Sequence, residues 1–241
     1  MGTRLRTGVL LMPAFDNAVA RRLFTALIIA DIFFISFHTV LGVLPHTGSI
    51  RSVEVLYGHF NLYNDFGYPE VFGFGKWTIA CVFSLVSFMM TRNRAYVGVA
   101  VASAAFLADD SGQIHESIGA ELDRNGYNGI FGLDGASIGE ILGFGILGLI
   151  VFSALLYSWR NAVPHYRGSI KVIALAIFGM FFCGIVFDLA HNLIAGNLQI
   201  AFLAELVGII EDGGEMLFLS LYCAAVFSEF FRVATAQKET V

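Results

Sequence analysis

The sequence predicts an all-α, polytopic membrane protein with six transmembrane helices in one bundle and both termini in the cytoplasm. Composition is the first observation: 57% of the 241 residues are hydrophobic, 14% are charged, and the mean hydropathy is +0.74. The hydrophobic share and the mean hydropathy exceed those of a typical soluble domain, and the charged share is lower. The second is a series of apolar runs long enough to cross a bilayer, which takes about 20 helical residues. The third is the placement of basic residues. Together they predict one membrane domain over residues 1–241.

Six apolar segments give the predicted helices in chain order. Apolar residues dominate each segment and charged residues collect between them, which is the pattern of helices surrounded by lipid. The predicted helices cover residues 20–44, 71–91, 95–118, 137–159, 168–195 and 200–231. Short connections join them, except for the longer stretches 45–70 and 119–136.

Basic residues set the predicted orientation, because Lys and Arg concentrate in cytoplasmic connections. On one side of the membrane, basic residues lie in four places: before the first segment, between the second and third segments, between the fourth and fifth segments, and after the sixth. The other side keeps Arg51, Lys76 and Arg124. This distribution predicts cytoplasmic termini and an even number of spans.

The two long connections have their own interpretations. Residues 45–70 are rich in aromatic side chains, which favours a belt in the membrane interface. The alternative is a lid over a site that uses His59, Asp65 or Glu70. Residues 119–136 carry glycines three apart but lack the acid spacing of a calcium loop, and they are predicted to be a flexible connector.

The sequence also excludes several classes of protein. It contains no basic tract for binding nucleic acid. Its three cysteines, Cys81, Cys183 and Cys223, lie far apart in apolar runs, so they are predicted to be core residues rather than disulfides or a cysteine-rich metal site. The absence of a glycine-rich phosphate loop and of a GxSxG motif argues against nucleotide enzymes and serine hydrolases.

Ionisable residues interrupt the third predicted helix. The stretch FLADDSGQIHESIG, residues 106–119, continues an apolar run and then introduces Asp109, Asp110, His115 and Glu116. An ionised carboxylate at mid-bilayer costs about 2.5–3.5 kcal/mol. Because an unpaired set of such groups is unfavourable, a compensating interaction is expected.

The fifth and sixth predicted helices add ionisable residues at a matching depth, in the outer half of the bundle. Positions three, four or seven apart share a helix face, so Asp188 aligns with His191 and Glu211 with Glu215. Bound divalent cations compensate such a cluster best, since isolated carboxylates in a low dielectric become neutral. Carboxylate and imidazole ligands suit iron, manganese or zinc, and bundles that hold two metal ions combine inward Glu residues with Glu-x-x-His pairs.

These residue types predict a metal site with assigned roles. The predicted metal ligands are His115, Glu116, Asp188, His191, Glu211 and Glu215. Asp109 and Asp212 are predicted to bridge ions or to support ligands, and His38 is an optional ligand. Glu116 and Asp110 are the predicted catalytic groups, with Glu116 as a base.

Two motifs carry a resemblance to known proteins. FLADDSGQIHESIG and LVGIIEDGGEMLFLSLY resemble motifs of uncharacterised bacterial multi-pass membrane proteins: an acidic residue followed by His-Glu, and an acidic pair followed by Gly-x-Glu-Met. This resemblance implies no activity, and a bacterial inner (plasma) membrane is the predicted location. The chain is also similar, in part, to alkaline ceramidase-type membrane hydrolases. That likeness implies a zinc site of three His with an Asp, for which His38, His115 and His191 are available, although the closely spaced His pair of that family's last helix is missing.

Three functions follow from the cluster. The first is a metal-dependent enzyme acting on a lipid-soluble small molecule, either by oxidation at a di-metal site or by hydrolysis through zinc-bound water. The second is a transporter or channel for protons or divalent cations. The third is a membrane subunit that binds a pigment or cofactor. The cytoplasmic halves, for example TIACVFSLVSFMM and LGLIVFSALLYSW, are interpreted as free of acids and His, which favours a site open to the outer face over a through-pore.

Overall fold

The computed structural model describes residues 17–43, 51–127, 134–194 and 201–238, and helices joined by short turns account for nearly all of them. In chain order the α-helices are α1 (Ala18–Val43), α2 (Arg51–Phe60), α3 (Tyr68–Thr91), α4 (Ala95–Gly112), α5 (Ile114–Arg124), α6 (Gly135–Asn161), α7 (Tyr166–Phe182), α8 (Asp188–Leu193) and α9 (Ala201–Lys238). A π-helical segment, Cys183–Phe187, joins α7 directly to α8. No strand occurs within the described ranges, which confirms the predicted all-α class there.

Five helical stretches of the described chain are long and apolar enough to cross a membrane. They are Ala18–Gly42, Tyr68–Thr91, Gly135–Asn161, Tyr166–His191 and Phe202–Lys238. The protein is therefore an integral membrane protein in contact with lipid. The predicted third span, residues 95–118, is not among the five, so a total of six spans and the shared side of the termini stay predictions.

The predicted continuous helix over residues 95–118 is wrong, because the chain breaks it at Gln113. This residue adopts a left-handed conformation, with φ 47° and ψ 46°, and its backbone N–H caps the end of α4, as residues in this conformation commonly do. α5 follows at once and continues to Arg124, into the stretch predicted to be a flexible connector. Residues 128–133 of that connector lie outside the described residues.

The aromatic connection between the first two spans contains a helix of its own. α2 occupies Arg51–Phe60, and a turn over residues 61–67 leads into α3. Pro69 stands in the first turn of α3, where a helix needs no backbone N–H. Residues 44–50 lie outside the described part of the chain.

Successive long helices run in opposite directions, which gives the bundle two ends. The distal end carries α2, α5 and residues 61–67, with the ends of α1, α4 and α8 and the beginnings of α3, α6 and α9. The proximal end carries the first turn of α1 and the last turns of α9. Side chains that bridge the helices fix this arrangement, for example Tyr96 with Glu229 near the proximal end and His38 with Glu205 near the distal end.

The apolar core lies among α3, α4, α6, α7 and α9. Its largest buried side chains include Trp77, Tyr166 and Tyr222. Large apolar side chains such as Leu149 and Phe178 are instead exposed on the outside of the bundle. Because a bilayer surrounds the spans with hydrocarbon, this exposed apolar surface is the one that faces lipid.

A buried ion pair joins α1, α3 and α9. Lys76 Nζ lies 2.6 Å from Asp31 Oδ1 and donates to the carbonyl oxygen of Met216 at 3.1 Å, while the Ser220 hydroxyl donates to Asp31 Oδ2 at 2.5 Å. Both charged side chains are fully buried, and the pairing leaves neither charge uncompensated. Lys76 therefore pairs inside the bundle, and it is not available as one of the basic residues at the outer side that were used to predict the orientation.

Candidate functional site

A cavity of about 460 Å³ lies in the distal half of the bundle, between α3, α4, α5, α6, α7, α8 and α9. Its described lining holds nine carboxyl groups and two histidines, and neither a lysine nor an arginine. The carboxyl groups belong to Asp65, Glu70, Asp110, Glu116, Glu140, Asp188, Glu211, Asp212 and Glu215, and the imidazoles to His115 and His191. Ionisable groups at this density among membrane spans mark a functional site by default.

Asp109 holds the imidazole of His115 on one wall of the cavity. Its buried carboxylate places Oδ2 2.8 Å from Nδ1 of His115, and Oδ1 accepts the backbone N–H of His115 at 3.2 Å. The break at Gln113 allows both contacts, because it brings the first turn of α5 next to the carboxylate. With Nδ1 donating to Asp109, the Nε2 lone pair is available near Glu116, whose Oε1 is 3.9 Å away. A carboxylate behind a histidine is the arrangement that orients metal-binding imidazoles.

Close packing by α6 fixes the same wall from behind. A Cβ atom at Gly143 would lie 2.6 Å from Cα of His115, so only glycine permits this approach. The ring of the next residue, Phe144, stacks on the His115 imidazole with centroids 4.3 Å apart. The glycine at position 143 therefore allows close helix packing and also positions His115.

The π-helical segment shapes a second wall. It ends immediately before Asp188, and its Gly184 lies so close to Glu215 that a Cβ atom there would collide with the Glu215 carboxylate. π-Helical turns are rare and occur frequently at functional sites. On this wall Nδ1 of His191 lies 3.6 Å from Oε2 of Glu211, so a histidine and a carboxylate meet here as well.

Aromatic rings form the floor of the cavity. The indole N–H of Trp77 donates to Oδ2 of Asp110 at 2.8 Å, and the indole stacks on Phe106 with centroids 4.5 Å apart. Tyr222 packs edge-on against Trp77 at 5.0 Å and is not among the lining residues. The polar lining therefore gives way to apolar surface toward the proximal end.

Residues 61–67 form the roof, and His38 fastens them to the bundle. The backbone N–H of Leu62 donates to Nδ1 of His38 at 3.2 Å, and Nε2 of His38 lies 3.1 Å from Oε1 of Glu205. The Tyr63 hydroxyl donates to the Glu205 carbonyl oxygen at 3.2 Å. Burial and the nearby Glu205 carboxylate raise the pKa of Tyr63, so this hydroxyl keeps its proton. Both nitrogens of His38 are engaged at the roof, and this optional ligand does not reach the cavity.

Among the described residues, no three His, Cys, Asp or Glu side chains converge closely enough to hold a metal ion between them. The candidate ligands meet instead in pairs, His115 with Glu116 and His191 with Glu211. Metal binding therefore stays a prediction, and it requires water ligands or a rotation of the carboxylates that line the cavity.

A family model described as Domain of unknown function (DUF8692) matches residues 23–228. The chain belongs to this family. The matched residues include every described residue that lines the cavity. No curated protein and no solved structure matches the chain. Because the family description names no activity, function has to be argued from the cavity itself.

Most of the predicted site residues of this family member do meet in the cavity. Eight of them line it: Asp110, His115, Glu116, Asp188, His191, Glu211, Asp212 and Glu215. Asp109 lies behind His115, and His38 lies at the roof. Asp109 and Glu116 are seven residues apart and would share a face of the predicted continuous helix, but they stand on different helices, α4 and α5.

Further residues line the cavity that the sequence did not place among the predicted site residues. Asp65 and Glu70, named for the lid alternative, do line the cavity, whereas His59 stacks on Tyr68 with centroids 5.3 Å apart. Glu140 and Trp77 were not assigned to the site. Signals for both exist in the sequence, since each carries a polar group that needs a partner inside a predicted span or at its edge.

The expectation that the cytoplasmic halves hold no acids is wrong, because α9 carries a buried carboxylate near its proximal end. Glu229 accepts hydrogen bonds from the hydroxyls of Tyr96, at 2.9 Å, and Ser169, at 3.1 Å, and it pairs with Arg232. These donors compensate the buried charge.

Polar contacts between α4 and α9 recur toward the proximal end. Glu215, Tyr222 and Glu229 are seven residues apart and share one face of α9. Tyr222 is bonded to Ser103 of α4 at 2.7 Å, and Ser103 lies seven residues from both Tyr96 and Asp110. Polar groups therefore occur at three levels between α4 and α9: Asp110 and Glu215 at the cavity, then Ser103 and Tyr222, then Tyr96 and Glu229.

Proposed function

We propose that the protein is a membrane enzyme that binds one or two divalent metal ions, iron, manganese or zinc, in the acidic cavity and acts on a lipid-soluble substrate. The observation that carries this proposal is the imidazole of His115, held by Asp109 and presenting Nε2 beside Glu116. Carboxylate–histidine pairs of this kind fix the tautomer and direction of a metal ligand. Cations also offset the repulsion among the lining carboxylates.

The proposed ligands come from both walls of the cavity. His115 and Glu116 provide the oriented pair, and Asp188, His191, Glu211 and Glu215 provide the remaining donors. Glu116 is the half-exposed carboxylate next to the imidazole, which suits a base that removes a proton from water or substrate. Asp110 is held by the Trp77 N–H through one oxygen, and its other oxygen is proposed to take part in proton transfer.

The metal that is bound selects the reaction. Zinc with a carboxylate base favours hydrolysis, because the ion lowers the pKa of a bound water. A pair of iron or manganese ions with saturated carboxylate ligands favours oxidation of the substrate. The apolar floor supports a substrate taken from the membrane, since its surface matches a hydrocarbon chain.

Elemental analysis of the purified protein tests this function. We expect bound divalent metal in the wild type, about two equivalents of iron or manganese for redox chemistry or one of zinc for hydrolysis. Glu215→Gln should lose the metal, because it removes a charge with little change in volume. Glu54→Gln, an exposed acid on α2, is the matched control and should retain it. A wild type without metal after growth in supplemented medium, or equal metal content in the two variants, overturns the proposal.

Transport of protons or divalent cations is the second candidate, and the polar levels between α4 and α9 favour it. Chains of ionisable and hydroxyl groups through several spans are typical of proton relays. The aromatic floor at Trp77 and Phe106 stands between the cavity and the next level, at Tyr222. Proteoliposomes with an internal pH dye test this candidate: a flux in the wild type that Glu229→Gln removes supports transport, and an absence of flux rejects it.

We also propose that α4 completes a sixth span and that both termini face the cytoplasm of a bacterial inner membrane. The packing of α4 against α3 and α6 supports this, as does the placement of basic residues. Protease protection of a tag at each terminus in inside-out vesicles tests it. Tags on opposite sides would reject the six-span topology.

A further inference from the structure

A continuous strip of rings runs from the floor of the cavity to His115. The Trp77 indole stacks on Phe106, and Phe181 packs against Phe106 at 5.5 Å and against Phe144 at 6.3 Å. Phe144 stacks in turn on the His115 imidazole. All five residues line the cavity. A ligand on this strip therefore has apolar contact along its length and reaches the polar wall at one end.

The polar wall is rich in carboxyl groups. Each carboxylate in it accepts hydrogen bonds, and the described lining offers no lysine or arginine to an anion. Of the few donors, the indole N–H of Trp77 and the hydroxyl of Tyr63 are already engaged, with Asp110 and with the Glu205 carbonyl. A polar end that donates hydrogen bonds is stabilised here, and one that carries negative charge is repelled.

The cavity volume limits the ligand to one chain. About 460 Å³ is within the range of small-molecule pockets, which is about 300–1,000 Å³. The apolar contacts form a single strip, whereas a two-chain lipid with a phosphate head group would need a second apolar surface and a cationic contact.

We infer that the substrate is a single-chain amphiphile whose chain lies along the aromatic strip and whose polar end, an amine in preference to an alcohol, lies against His115 and Glu116. In the metal-free cavity, single-chain carboxylates and phosphates are repelled by the lining carboxylates. This inference names the substrate class of the proposed enzyme and rests on that proposal for the reaction, but binding to the strip needs no metal.

Tryptophan fluorescence gives a direct test, because the chain has two tryptophans. Trp77 lines the cavity, whereas Trp159 lies near the end of α6, close to Arg167 and Lys171. A Trp159→Phe variant therefore reports on the cavity alone. Its fluorescence is titrated in nanodiscs, with a chelator present, using undecylamine, undecanol and undecanoate that each carry bromine, a quencher, at the end of the chain.

We expect the amine to quench Trp77 at a concentration about tenfold lower than the carboxylate, with the alcohol between them, since a hydrogen bond to a charged group is worth about a factor of ten. Glu116→Gln should reduce the preference for the amine over the alcohol. The reverse variant, Trp77→Phe, leaves Trp159 as the only reporter and measures how much of each probe enters the bilayer. The three probes are compared after correction for that uptake.

Equal quenching of Trp77 by the amine and the carboxylate, or quenching no stronger than that of Trp159, overturns the inference. The proposed metal chemistry is judged separately by elemental analysis. A protein that lacks metal but prefers the amine keeps the inference and loses the proposed enzyme. A metal-loaded protein without that preference keeps the enzyme and loses the inference.

Discussion

Nδ1 of His115 lies 2.8 Å from Oδ2 of Asp109, and the contact crosses a helix break rather than following a helix face. The left-handed residue Gln113 stands between them, and the same carboxylate also accepts the His115 backbone N–H. Asp109 thus fixes both the position of the backbone and the direction of the ring. This double hold makes His115 the best-oriented imidazole of the cavity.

Removing the Asp109 charge should weaken metal binding. In Asp109→Asn the side chain keeps its volume but loses the ionised acceptor that orients His115, so metal affinity should fall about 10–100-fold. Competition with a coloured chelator measures this change. Asp123→Asn, an exposed acid on α5, is the control with the same change of charge. An equal shift in both variants would mean that net charge, rather than orientation, controls affinity.

Gly184→Ala should displace the Glu215 carboxylate. A Cβ atom at Gly184 has no room beside that carboxylate, and such overpacking costs about 1–3 kcal/mol. The expected result is a lower unfolding midpoint together with loss of bound metal. Gly145→Ala, where a Cβ atom meets nothing within 4 Å, should change neither property. If the two variants behave alike, the close approach of Gly184 does not position the Glu215 carboxylate.

Breaking the buried pair of Lys76 and Asp31 should destabilise the bundle. Lys76→Met leaves the Asp31 carboxylate uncompensated among α1, α3 and α9, which should cost about 3–5 kcal/mol. The double variant Lys76→Met with Asp31→Leu should recover most of this loss, because it removes both charges. Unfolding in mixed micelles measures both effects. A double variant as unstable as the single one would show that packing, not charge, dominates at this position.

The start of α6 should depend on pH through Asp134. The Asp134 carboxylate accepts the Ser137 backbone N–H at 2.8 Å and caps the helix, and this hydrogen bond lowers the pKa of Asp134. A lowered pKa means that the contribution to stability is present at neutral pH and is lost as the pH falls through it. Asp134→Ala should therefore cost about 1 kcal/mol at neutral pH.

The same variant should match the wild type in acid, once the carboxylate is protonated in both the folded and the unfolded protein. Unfolding midpoints at a series of pH values measure the difference between the two proteins. A difference that persists unchanged into acid would rule out the carboxylate as its source.

Much of the cavity could be predicted because ionisable residues inside a membrane span have to face the interior of the bundle and not the lipid. Asp188 of α8 and Glu215 of α9 were expected at the same depth. Helical spacing also places Asp188 on the same face as His191, and Glu215 on the same face as Glu211. The break at Gln113 could not be predicted in this way, since the apolar pattern continues toward it and glutamine is not a typical left-handed residue. Glu140 and Trp77 reach the cavity through packing between helices that are distant in sequence.

Hydropathy and helical period are local properties of the chain, so they were enough to predict a helical membrane protein with carboxylates and imidazoles at one depth. The packed fold was needed to see that Asp109 supports His115, that His38 holds the roof, and that a row of aromatic rings leads to the polar wall. Those relationships depend on a helix break, on glycine contacts and on side-chain directions. Asp109 and His115 are close in sequence but lie on either side of the helix break, and the other contacts join segments far apart in sequence, where no local period records them.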